Sequence, residues 1–216
     1  MTQPAVNYTS MAYLTKQRWN SYWYQLHEVT RLPQIKTVLE VGIGNTIVTH
    51  VLRQMGYNVK TVDMDPHTQP DYIADIRSLT GVVQTPTDVI LCCQTLEHIV
   101  YEDVPQVLQD FHKISNEHLI VTLPYSTLGT YKPRLLIKVL PFVKEFRWIG
   151  CFNLFPKRHP DSRPGGHFWE IGKRGYRLTD VLALFPANGW DIVKHYPLFE
   201  NPFHYMIVCK KRDGKN

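Results

Sequence analysis

Two glycines and two carboxylates are spaced along this chain in a pattern that suits the binding of a nucleoside. An apolar, β-forming run over residues 37–41 carries Glu40 near its end and breaks into Gly42 and Gly44, after which a helical pattern begins. Glycine lets the backbone approach a ligand without a Cβ in the way, and the start of a helix offers unpaired N–H groups. Asp63 ends the next apolar run, at a distance from the glycines where a carboxylate can hold a ribose diol.

The spacing of the glycines separates two kinds of nucleotide-binding corner. A dinucleotide fingerprint, Gly-x-Gly-x-x-Gly, would need glycine where the chain has Ile47, which disfavours an NAD dehydrogenase. The chain instead fits acid-x-Gly-x-Gly, and the motif Leu96-Glu97-His98 follows a later apolar run. In these features it resembles the class I S-adenosylmethionine-dependent methyltransferases, over about residues 36–124 and again over 176–210. One departure is that the family's frequent third glycine falls at Thr46.

The resemblance implies that S-adenosylmethionine is the cofactor and that the residues matching the family's motifs contact it. Glu40 is expected to orient the methionine amine, while Gly42 and Gly44 pass beneath the cofactor. Asp63 is expected to hold the ribose. Asp65 competes for that role, but Asp63 is preferred because it lies nearer the end of the strand.

Three further residues complete the cofactor site that the resemblance implies. Asp75 and Ile76 lie where the family's third strand ends, so the acid is expected to contact the exocyclic amine of adenine and the isoleucine its ring. Gln94 follows the fourth predicted strand. Its backbone is expected near the methionine part of the cofactor, since ligands bind at the carboxyl ends of parallel strands.

Three side chains are candidates for moving a proton of the methyl acceptor: His98, His167 and Glu170. His98 directly follows the Leu-Glu pair and, like any histidine, can titrate near neutral pH; a structural role at the pocket wall is the alternative. His167 and Glu170 lie three residues apart beside two aromatic residues. They could accept a proton if their segment folds over the cofactor, and otherwise they face solvent. Because His-x-x-Glu has no third ligand here, no metal is expected.

The hydrophobic pattern predicts an α/β domain with seven strands. They cover residues 36–41, 58–63, 71–75, 88–93, 118–123, 190–196 and 203–210. The fourth strand shows little polar alternation, as expected in the middle of a parallel sheet that is buried on both faces. The resemblance implies a Rossmann-like class I methyltransferase fold, in which the sheet is mostly parallel and its last strand is antiparallel. The predicted helices of the sheet region cover residues 45–55, 102–115 and 178–185.

The chain is expected to form a single domain, residues 1–216, with two additions to the sheet. Residues 1–34 are predicted to form a helical cap, whose aromatic residues pack on the sheet or cover the cofactor. Residues 66–70 are too few and too rich in proline for a crossover of ~10–12 residues, so the helix after the second strand is expected to be missing. Residues 125–175 break the pattern and are predicted to form an insertion after the fifth strand, building the acceptor pocket or a lid.

Positive charge is concentrated in this insertion. Eight basic and two acidic residues lie between positions 131 and 163, whereas the whole chain has a net charge of +5. Residues 132–140 have the spacing of a short, basic amphipathic helix that Pro141 would stop. The segment suits a solvated helix packed on the domain, a patch for an anionic acceptor, or a nucleic-acid or membrane surface. No RNA-binding module accompanies it, so a nucleic-acid partner is disfavoured.

Together these features predict an enzyme that transfers a methyl group from S-adenosylmethionine to an oxygen or nitrogen of a small, anionic molecule, such as a sugar nucleotide, phosphate ester or acid. An RNA or protein methyltransferase is the competitor of the same fold, and a cofactor-binding partner subunit without turnover is the competitor of another class. No apolar run approaches the ~18 residues of a membrane span, and the N-terminus shows no secretion signal. The four cysteines have no metal-ligand spacing, so a cytoplasmic protein is expected, and a homodimer is left open.

Overall fold

A mixed seven-stranded β-sheet forms the centre of the protein. The computed structural model describes residue 8 and residues 10–125, 130–131, 134–139, 144–149, 152–153 and 166–212. The strands are β1 (Thr37–Val41), β2 (Asn58–Asp63), β3 (Tyr72–Ile73), β4 (Thr87–Cys93), β5 (Ser115–Pro124), β6 (Thr130–Tyr131), β7 (Arg134–Val139), β8 (Lys144–Ile149), β9 (Phe152–Asn153), β10 (Trp190–Pro197) and β11 (His204–Lys211). The α-helices are α1 (Lys16–Thr30), α2 (Ile47–Gln54), α3 (Val104–Ile114) and α4 (Leu178–Ala187).

The order of strands across the large sheet is β10-β11-β5-β4-β1-β2-β3. Strand β11 runs antiparallel to both of its neighbours, whereas the other pairs are parallel. The predicted fold, a mostly parallel α/β sheet with an antiparallel last strand, is thus confirmed. Because β1, β2 and β4 are parallel neighbours, their carboxyl ends meet at one edge, where Glu40 lies opposite Thr61 of β2 and Leu91 of β4.

Both faces of the sheet are covered, which explains why its central strands lack polar alternation. Successive residues of β1 enter two separate hydrophobic clusters: Leu39 shares one with Phe111 of α3, and Val38 shares the other with Leu52 of α2. All four side chains are fully buried. Burying a side chain of this size contributes about 1.5–3 kcal/mol, so the two clusters hold the ends of the strands in fixed positions.

The connection between β2 and β3 contains no α-helix. A single 3₁₀ turn, Pro66–Thr68, fills it, and the Asp65 carboxylate caps this turn by accepting a hydrogen bond from the His67 N–H. Strand β3 has only two residues, fewer than the sequence predicted, and pairs in parallel with the end of β2. The predicted loss of the helix is confirmed, since a short, proline-containing connection leaves room for little more than one turn.

The N-terminal part of the chain contributes one long helix, α1. Thr15 caps it by accepting a hydrogen bond from the Arg18 N–H at 3.2 Å. Tyr24 and Val29 are buried against the sheet, whereas Trp23 is exposed, so only part of the aromatic stripe packs as predicted. Neither α1 nor any other helix among the described residues has the length and apolar character needed to cross a membrane.

Residues 132–140 do not form the basic amphipathic helix that their spacing predicted. Strand β7 lies in this range and pairs antiparallel with β8, from Arg134 opposite Ile149 to Val139 opposite Lys144. The helix prediction is wrong because an isolated helix shorter than ~12–15 residues is marginal, and the partner strand contains aromatic and β-branched residues that favour a sheet. The spacing of apolar residues within 132–140 gives no information about a partner strand elsewhere in the chain.

The outer strand β10 contains an irregularity. Ile192 pairs with Cys209 and Lys194 pairs with Val208, so Val193 is an extra residue on β10 that has no partner position on β11. The Val193 side chain is exposed. A bulge of this kind bends the strand and increases its local twist.

Candidate functional site

The glycine corner, residues 41–46, joins β1 to α2 and requires glycine at its second position for two reasons. Gly42 has a φ of +78°, which L side chains rarely adopt, and a Cβ there would lie 2.2 Å from Thr95 Oγ1. Thr95 Oγ1 also lies 3.2 Å from the carbonyl oxygens of Val41 and Cys93. The absence of a side chain at Gly42 therefore allows Thr95 to join the end of β4 to the end of β1.

Gly44 and Thr46 complete the glycine corner in left-handed backbone conformations. Their φ angles are +50° and +61°. Thr46 stands where the family frequently has its third glycine, and its side chain makes no capping hydrogen bond to α2. A residue other than glycine in this conformation costs roughly 1–2 kcal/mol, so the departure from the family's pattern introduces backbone strain at Thr46.

Aromatic residues of the N-terminal segment cover the glycine corner. A Cβ at Gly44 would lie 3.6 Å from Tyr8 Cδ1 and 3.8 Å from the Tyr13 hydroxyl. The two tyrosine rings meet edge to face at 5.1 Å. Arg18 lies over the Tyr13 ring and donates a hydrogen bond to its hydroxyl at 3.0 Å. The sequence predicted that aromatic residues of this segment pack on the sheet or cover the cofactor, but it did not identify Tyr8, Tyr13 or Arg18 as residues of the site.

Glu40 is buried beside the glycine corner and is held by α2. Its carboxylate accepts a hydrogen bond from Thr49 Oγ1, and only 6% of the residue is exposed. Burial raises the pKa of Glu40 to about 7, while the hydrogen bond from Thr49 acts in the opposite direction. A ligand ammonium group beside Glu40 would favour its charged form, so this position suits the predicted contact with the methionine amine.

Asp63 holds the glycine corner from the end of β2. Its Oδ2 accepts a hydrogen bond from the Ile43 N–H and its Oδ1 accepts one from the Asp65 N–H, both at 2.9 Å. Each carboxylate oxygen has a second lone pair, which leaves capacity for a ribose hydroxyl. The Asp65 carboxylate is instead engaged in capping the 3₁₀ turn. This geometry favours Asp63 over Asp65 for the ribose, a role that stays a prediction.

Asp75, Ile76 and Gln94, which were predicted to contact the adenine and methionine parts of the cofactor, have three different environments. Asp75 pairs with Arg77 at 2.6 Å, and this hydrogen-bonded pair keeps the pKa of Asp75 below its usual value. Ile76 is buried in the core, so little of its side chain can face an adenine ring. Gln94 has a φ of +55° and donates its N–H to the Thr122 carbonyl at 2.9 Å, which ties the end of β4 to β5. Their contacts with a cofactor stay predictions.

Four side chains meet beyond the end of β4 and form the histidine–glutamate cluster: Glu97, His98, His167 and Glu170. His167 Nδ1 lies 2.9 Å from Glu170 Oε1, and His167 Nε2 lies 4.0 Å from Glu97 Oε1. The rings of His98 and His167 meet edge to face, with centroids 5.1 Å apart. The structure thus brings together all three residues predicted to move protons and adds Glu97 to them.

Two backbone hydrogen bonds bring the segment that carries His167 to the ends of the strands. The Phe168 N–H donates to the Glu97 carbonyl at 2.7 Å, and the Ile171 N–H donates to the Pro124 carbonyl at 3.1 Å. In this position the His167 side chain is half-buried, with 34% of it exposed. The segment lies against the carboxyl ends of β4 and β5, where ligands bind in open α/β sheets.

Glu97 is the buried acid of the histidine–glutamate cluster. It belongs to the Leu-Glu-His motif, but the sequence did not identify it as a residue of the site. Glu97 is fully buried, and neither of its carboxylate oxygens has a hydrogen-bond partner among the described residues. Burial raises the pKa of Glu97 to about 8, with His167 acting in the opposite direction. The hydrogen bond to Glu170 raises the pKa of His167, whereas burial lowers the pKa of His98.

The basic segment of the insertion is described only in part. Arg134 donates hydrogen bonds to the carbonyl oxygens of Phe199 and Glu200, and Arg147 pairs with the Glu200 carboxylate at 2.9 Å. Glu200 also accepts a hydrogen bond from the Tyr24 hydroxyl, so the β7–β8 hairpin is connected to α1. Four other basic residues of the segment lie outside the described residues: Lys132, Lys157, Arg158 and Arg163.

A comparison with family models identifies the class of this domain. A model described as a methyltransferase domain matches residues 17–159, about two thirds of the chain, which includes the glycine corner and the turn after β4. The chain belongs to this family. The resemblance inferred from the acid-x-Gly-x-Gly motif is therefore confirmed. Among curated proteins, no sequence matches this chain.

Solved structures of methyltransferases have the same fold. The N-methyltransferase NodS from Bradyrhizobium japonicum, in complex with S-adenosylhomocysteine, has a TM-score of 0.64 at 10% identity, with 96% of this chain and 93% of that chain covered. An S-adenosylmethionine-dependent methyltransferase from Clostridium acetobutylicum has a TM-score of 0.59 at 12% identity, with 94% of each chain covered. Magnesium protoporphyrin IX methyltransferase from Synechocystis, with bound S-adenosylhomocysteine, has a TM-score of 0.56 at 17% identity, with 90% and 83% covered.

Proposed function

We propose that this chain transfers the methyl group of S-adenosylmethionine to a small, anionic molecule, and that the insertion, residues 125–175, forms the acceptor pocket. Family membership and the glycine corner support the methyl donor. Among methyltransferases of the same fold, one acts on magnesium protoporphyrin IX, which supports a small-molecule acceptor. The observation that carries the proposal is the position of the histidine–glutamate cluster: its residues Glu97 and His98 follow closely after Thr95, whose hydroxyl lies 3.2 Å from the Val41 carbonyl of the glycine corner.

The glycine corner and the acidic residues around it fit a nucleoside that carries an amino-acid tail. Glu40 would receive the ammonium group and Asp63 the ribose hydroxyls, with the backbone of Gly44 beneath the cofactor. Asp75 would accept a hydrogen bond from the adenine amine, and the Gln94 backbone would lie near the methionine part. Bound S-adenosylmethionine supplies a methyl group that its positive sulfonium has already activated. The work left to the chain is to hold the acceptor atom and the methyl group in line at ~3–3.5 Å.

The histidine–glutamate cluster would act on the acceptor. In a neutral His167, Nδ1 donates its hydrogen to Glu170, so Nε2 keeps a lone pair that can accept the proton of an acceptor hydroxyl. His98 is the second candidate for this proton, and its lowered pKa favours the neutral form that a base requires. An amine acceptor needs only to be deprotonated, so the cluster matters most for an oxygen acceptor.

The anionic character of the acceptor rests on the basic segment of the insertion. Because Arg134 and Arg147 already bind Phe199 and Glu200, we assign the acceptor's negative charge to other basic residues of this segment. Lysine and arginine side chains bind carboxylates and phosphates through charged hydrogen bonds, and eight basic residues lie between positions 131 and 163.

Calorimetric titration with S-adenosylmethionine, S-adenosylhomocysteine and NAD tests the donor. We expect both sulfur compounds to bind and NAD not to bind. Asp63→Asn should weaken binding about tenfold or more, because a hydrogen bond to a charged group is worth about 1.5–3 kcal/mol. The matched variant Asp65→Asn should leave the affinity nearly unchanged, since that carboxylate caps a turn. Binding of NAD in place of both sulfur compounds would refute the proposal.

Release of S-adenosylhomocysteine, measured with panels of acceptors, tests the substrate class. We expect turnover with carboxylic acids, phosphate esters or sugar nucleotides, and a higher KM for the neutral amide or desphospho analogue of each. Turnover of RNA that falls steeply with salt would instead favour an RNA methyltransferase. Donor binding without turnover of small molecules, RNA or peptides would favour a partner subunit.

A further inference from the structure

We infer that the histidine–glutamate cluster binds a divalent transition-metal ion, with Glu97, His98 and His167 as its three protein ligands. One nitrogen or oxygen atom from each of these residues lies within 4.8 Å of the others. The ligand atoms of one zinc ion lie about 2.0–2.2 Å from it and hence roughly 3–4 Å from each other, so side-chain movements of about 1 Å would close the site. The sequence predicted no metal because His167 and Glu170 have no third ligand nearby in the chain, whereas the fold places two further donors, Glu97 and His98, beside His167.

Both histidine rings are already oriented as metal ligands are. His98 Nδ1 lies 3.2 Å from the Gly166 carbonyl oxygen, and His167 Nδ1 lies 2.9 Å from the Glu170 carboxylate. Both partners are acceptors, so in the neutral form of each ring Nδ1 carries the hydrogen and Nε2 keeps its lone pair. Metal-binding histidines almost always donate their second ring N–H to a carboxylate or a backbone carbonyl in this manner.

Glu97 supplies an independent reason for a cation at this place. It is a fully buried carboxylate, and both of its oxygens lack a hydrogen-bond partner among the described residues. Within the same residues, its recorded ion-pair contact is His167 Nε2 at 4.0 Å, with no lysine or arginine in range. Burying a carboxylate without hydrogen bonds or a cation is costly, and a divalent ion would remove that cost.

The donor set selects the kind of ion. Two imidazole nitrogens and one carboxylate suit zinc and neighbouring first-row ions, whereas magnesium prefers oxygen ligands. His98 is exposed, so the cluster is open to solvent on one side. Three protein ligands with an open side are typical of sites in which the ion also binds water or a substrate.

The ion would also have a role in the proposed methyl transfer, namely to activate the acceptor. This role rests on the proposed function. An acceptor hydroxyl bound at the open side would lose its proton more readily, because a divalent cation lowers the pKa of an oxygen that it binds. His98 and His167 would then be ligands, and the proton would pass to solvent rather than to an imidazole. Metal binding itself requires neither methyl transfer nor an acceptor, so it can be tested alone.

Titration of the tag-free, reduced, full-length protein with Zn²⁺, Co²⁺ and Mg²⁺ tests the inference, with calorimetry for affinity and the visible absorption of Co²⁺ for its ligands. We expect one equivalent of Zn²⁺ and of Co²⁺ to bind, and Mg²⁺ to bind far more weakly. Each of Glu97→Gln, His98→Gln and His167→Gln should weaken binding at least about 100-fold. Glu170→Ala should weaken it about 10–100-fold, as is usual when the partner of a ligand is lost.

His50→Gln is the matched control, because His50 is an exposed histidine on α2 that does not belong to the cluster. It should change neither the affinity nor the Co²⁺ spectrum. Circular dichroism shows whether each variant is folded, and the affinity for S-adenosylmethionine is measured on the same samples. Donor binding without a stoichiometric ion would overturn the inference and leave the proposed function standing. Ion binding that the three ligand substitutions do not weaken would also overturn it, whereas ion binding without donor binding would refute only the proposed function.

Discussion

Thr95 fills the space that a Cβ on Gly42 would occupy, with its Oγ1 2.2 Å from the ideal Cβ position. The same oxygen lies 3.2 Å from the Val41 carbonyl. The glycine corner and the turn that carries Glu97 and His98 are therefore joined by one threonine side chain. We therefore expect a side chain at Gly42 to displace both the glycine corner and the turn that carries Glu97 and His98.

Gly42→Ala should lower the free energy of unfolding by more than the roughly 1–2 kcal/mol that a left-handed alanine costs, because it adds a collision with Thr95. Urea denaturation measures the difference. Gly56→Ala is the control: Gly56 has a φ of +93°, but no atom of a residue other than its chain neighbours lies within 4 Å of the Cβ position, so it should show the backbone cost alone. Adding Thr95→Ala to Gly42→Ala should restore the part of the free energy of unfolding that is lost to the collision. Equal decreases in the free energy of unfolding for Gly42→Ala and Gly56→Ala would contradict the steric argument.

Thr46→Gly should raise the free energy of unfolding by up to about 1.6 kcal/mol. The substitution removes left-handed strain of roughly 1–2 kcal/mol, while the more flexible unfolded chain offsets about 0.4–1 kcal/mol of that gain. No capping hydrogen bond is lost, because the Thr46 side chain makes none. Urea denaturation again measures the change. Gln69→Gly, at a φ of +53° in an exposed turn, should give a similar gain; a clear loss at Thr46 would show that its side chain stabilises the corner.

Glu40 should make the cofactor-free protein less stable as pH rises. Its pKa in the folded state is about 7 against an ordinary value of 4.5, so the folded state binds the proton more tightly than the unfolded state. The stabilisation is present below pH 4.5 and is lost as pH rises to about 7, an effect on the order of 3 kcal/mol. Glu40→Gln should remove this part of the pH dependence in urea denaturation. The exposed Glu102→Gln should keep it, and parallel curves for wild type and Glu40→Gln would contradict the assignment.

The ion pair between Arg147 and Glu200 should stabilise the contact of the β7–β8 hairpin with the loop between β10 and β11 only slightly. Both side chains are partly exposed, so a double-mutant cycle of Arg147→Met and Glu200→Gln should give a coupling of about 0.2–1 kcal/mol. Amide hydrogen exchange in β7 and β8 should become faster in the double variant. Arg177→Met, which breaks an exposed pair on α4, should leave exchange in the hairpin unchanged. A coupling above about 2 kcal/mol would show that the pair is more deeply desolvated than its exposure indicates.

Local pattern was sufficient to predict most of the sheet. The apolar run that ends in Glu40, Gly42 and Gly44 marked β1 and the start of α2, and the proline-rich connection marked the missing helix. These features depend on residues close together in the chain. Propensity, turn chemistry and hydrophobic pattern agree there, so sequence reasoning could find them.

The features that sequence reasoning missed depend on contacts between distant segments. Residues 134–139 form strand β7 because β8 pairs with them. The helical spacing of these residues gave no indication of that pairing. Glu97 is a buried acid that lies beside His167, because the Phe168 N–H donates to the Glu97 carbonyl and brings the segment that carries His167 against it. No property of the Leu-Glu-His motif alone distinguishes such an acid from one that faces solvent.

The bulge at Val193 affects the tendency of the protein to aggregate at high concentration. An exposed sheet edge is a template for another strand, and aggregation through such edges needs an uninterrupted series of free N–H and C=O groups. The extra residue in β10 interrupts that series, and the strand ends at Pro197, which has no N–H to offer. The opposite edge, β3, has only two residues. Both edges of the sheet therefore resist the intermolecular pairing that leads to fibres.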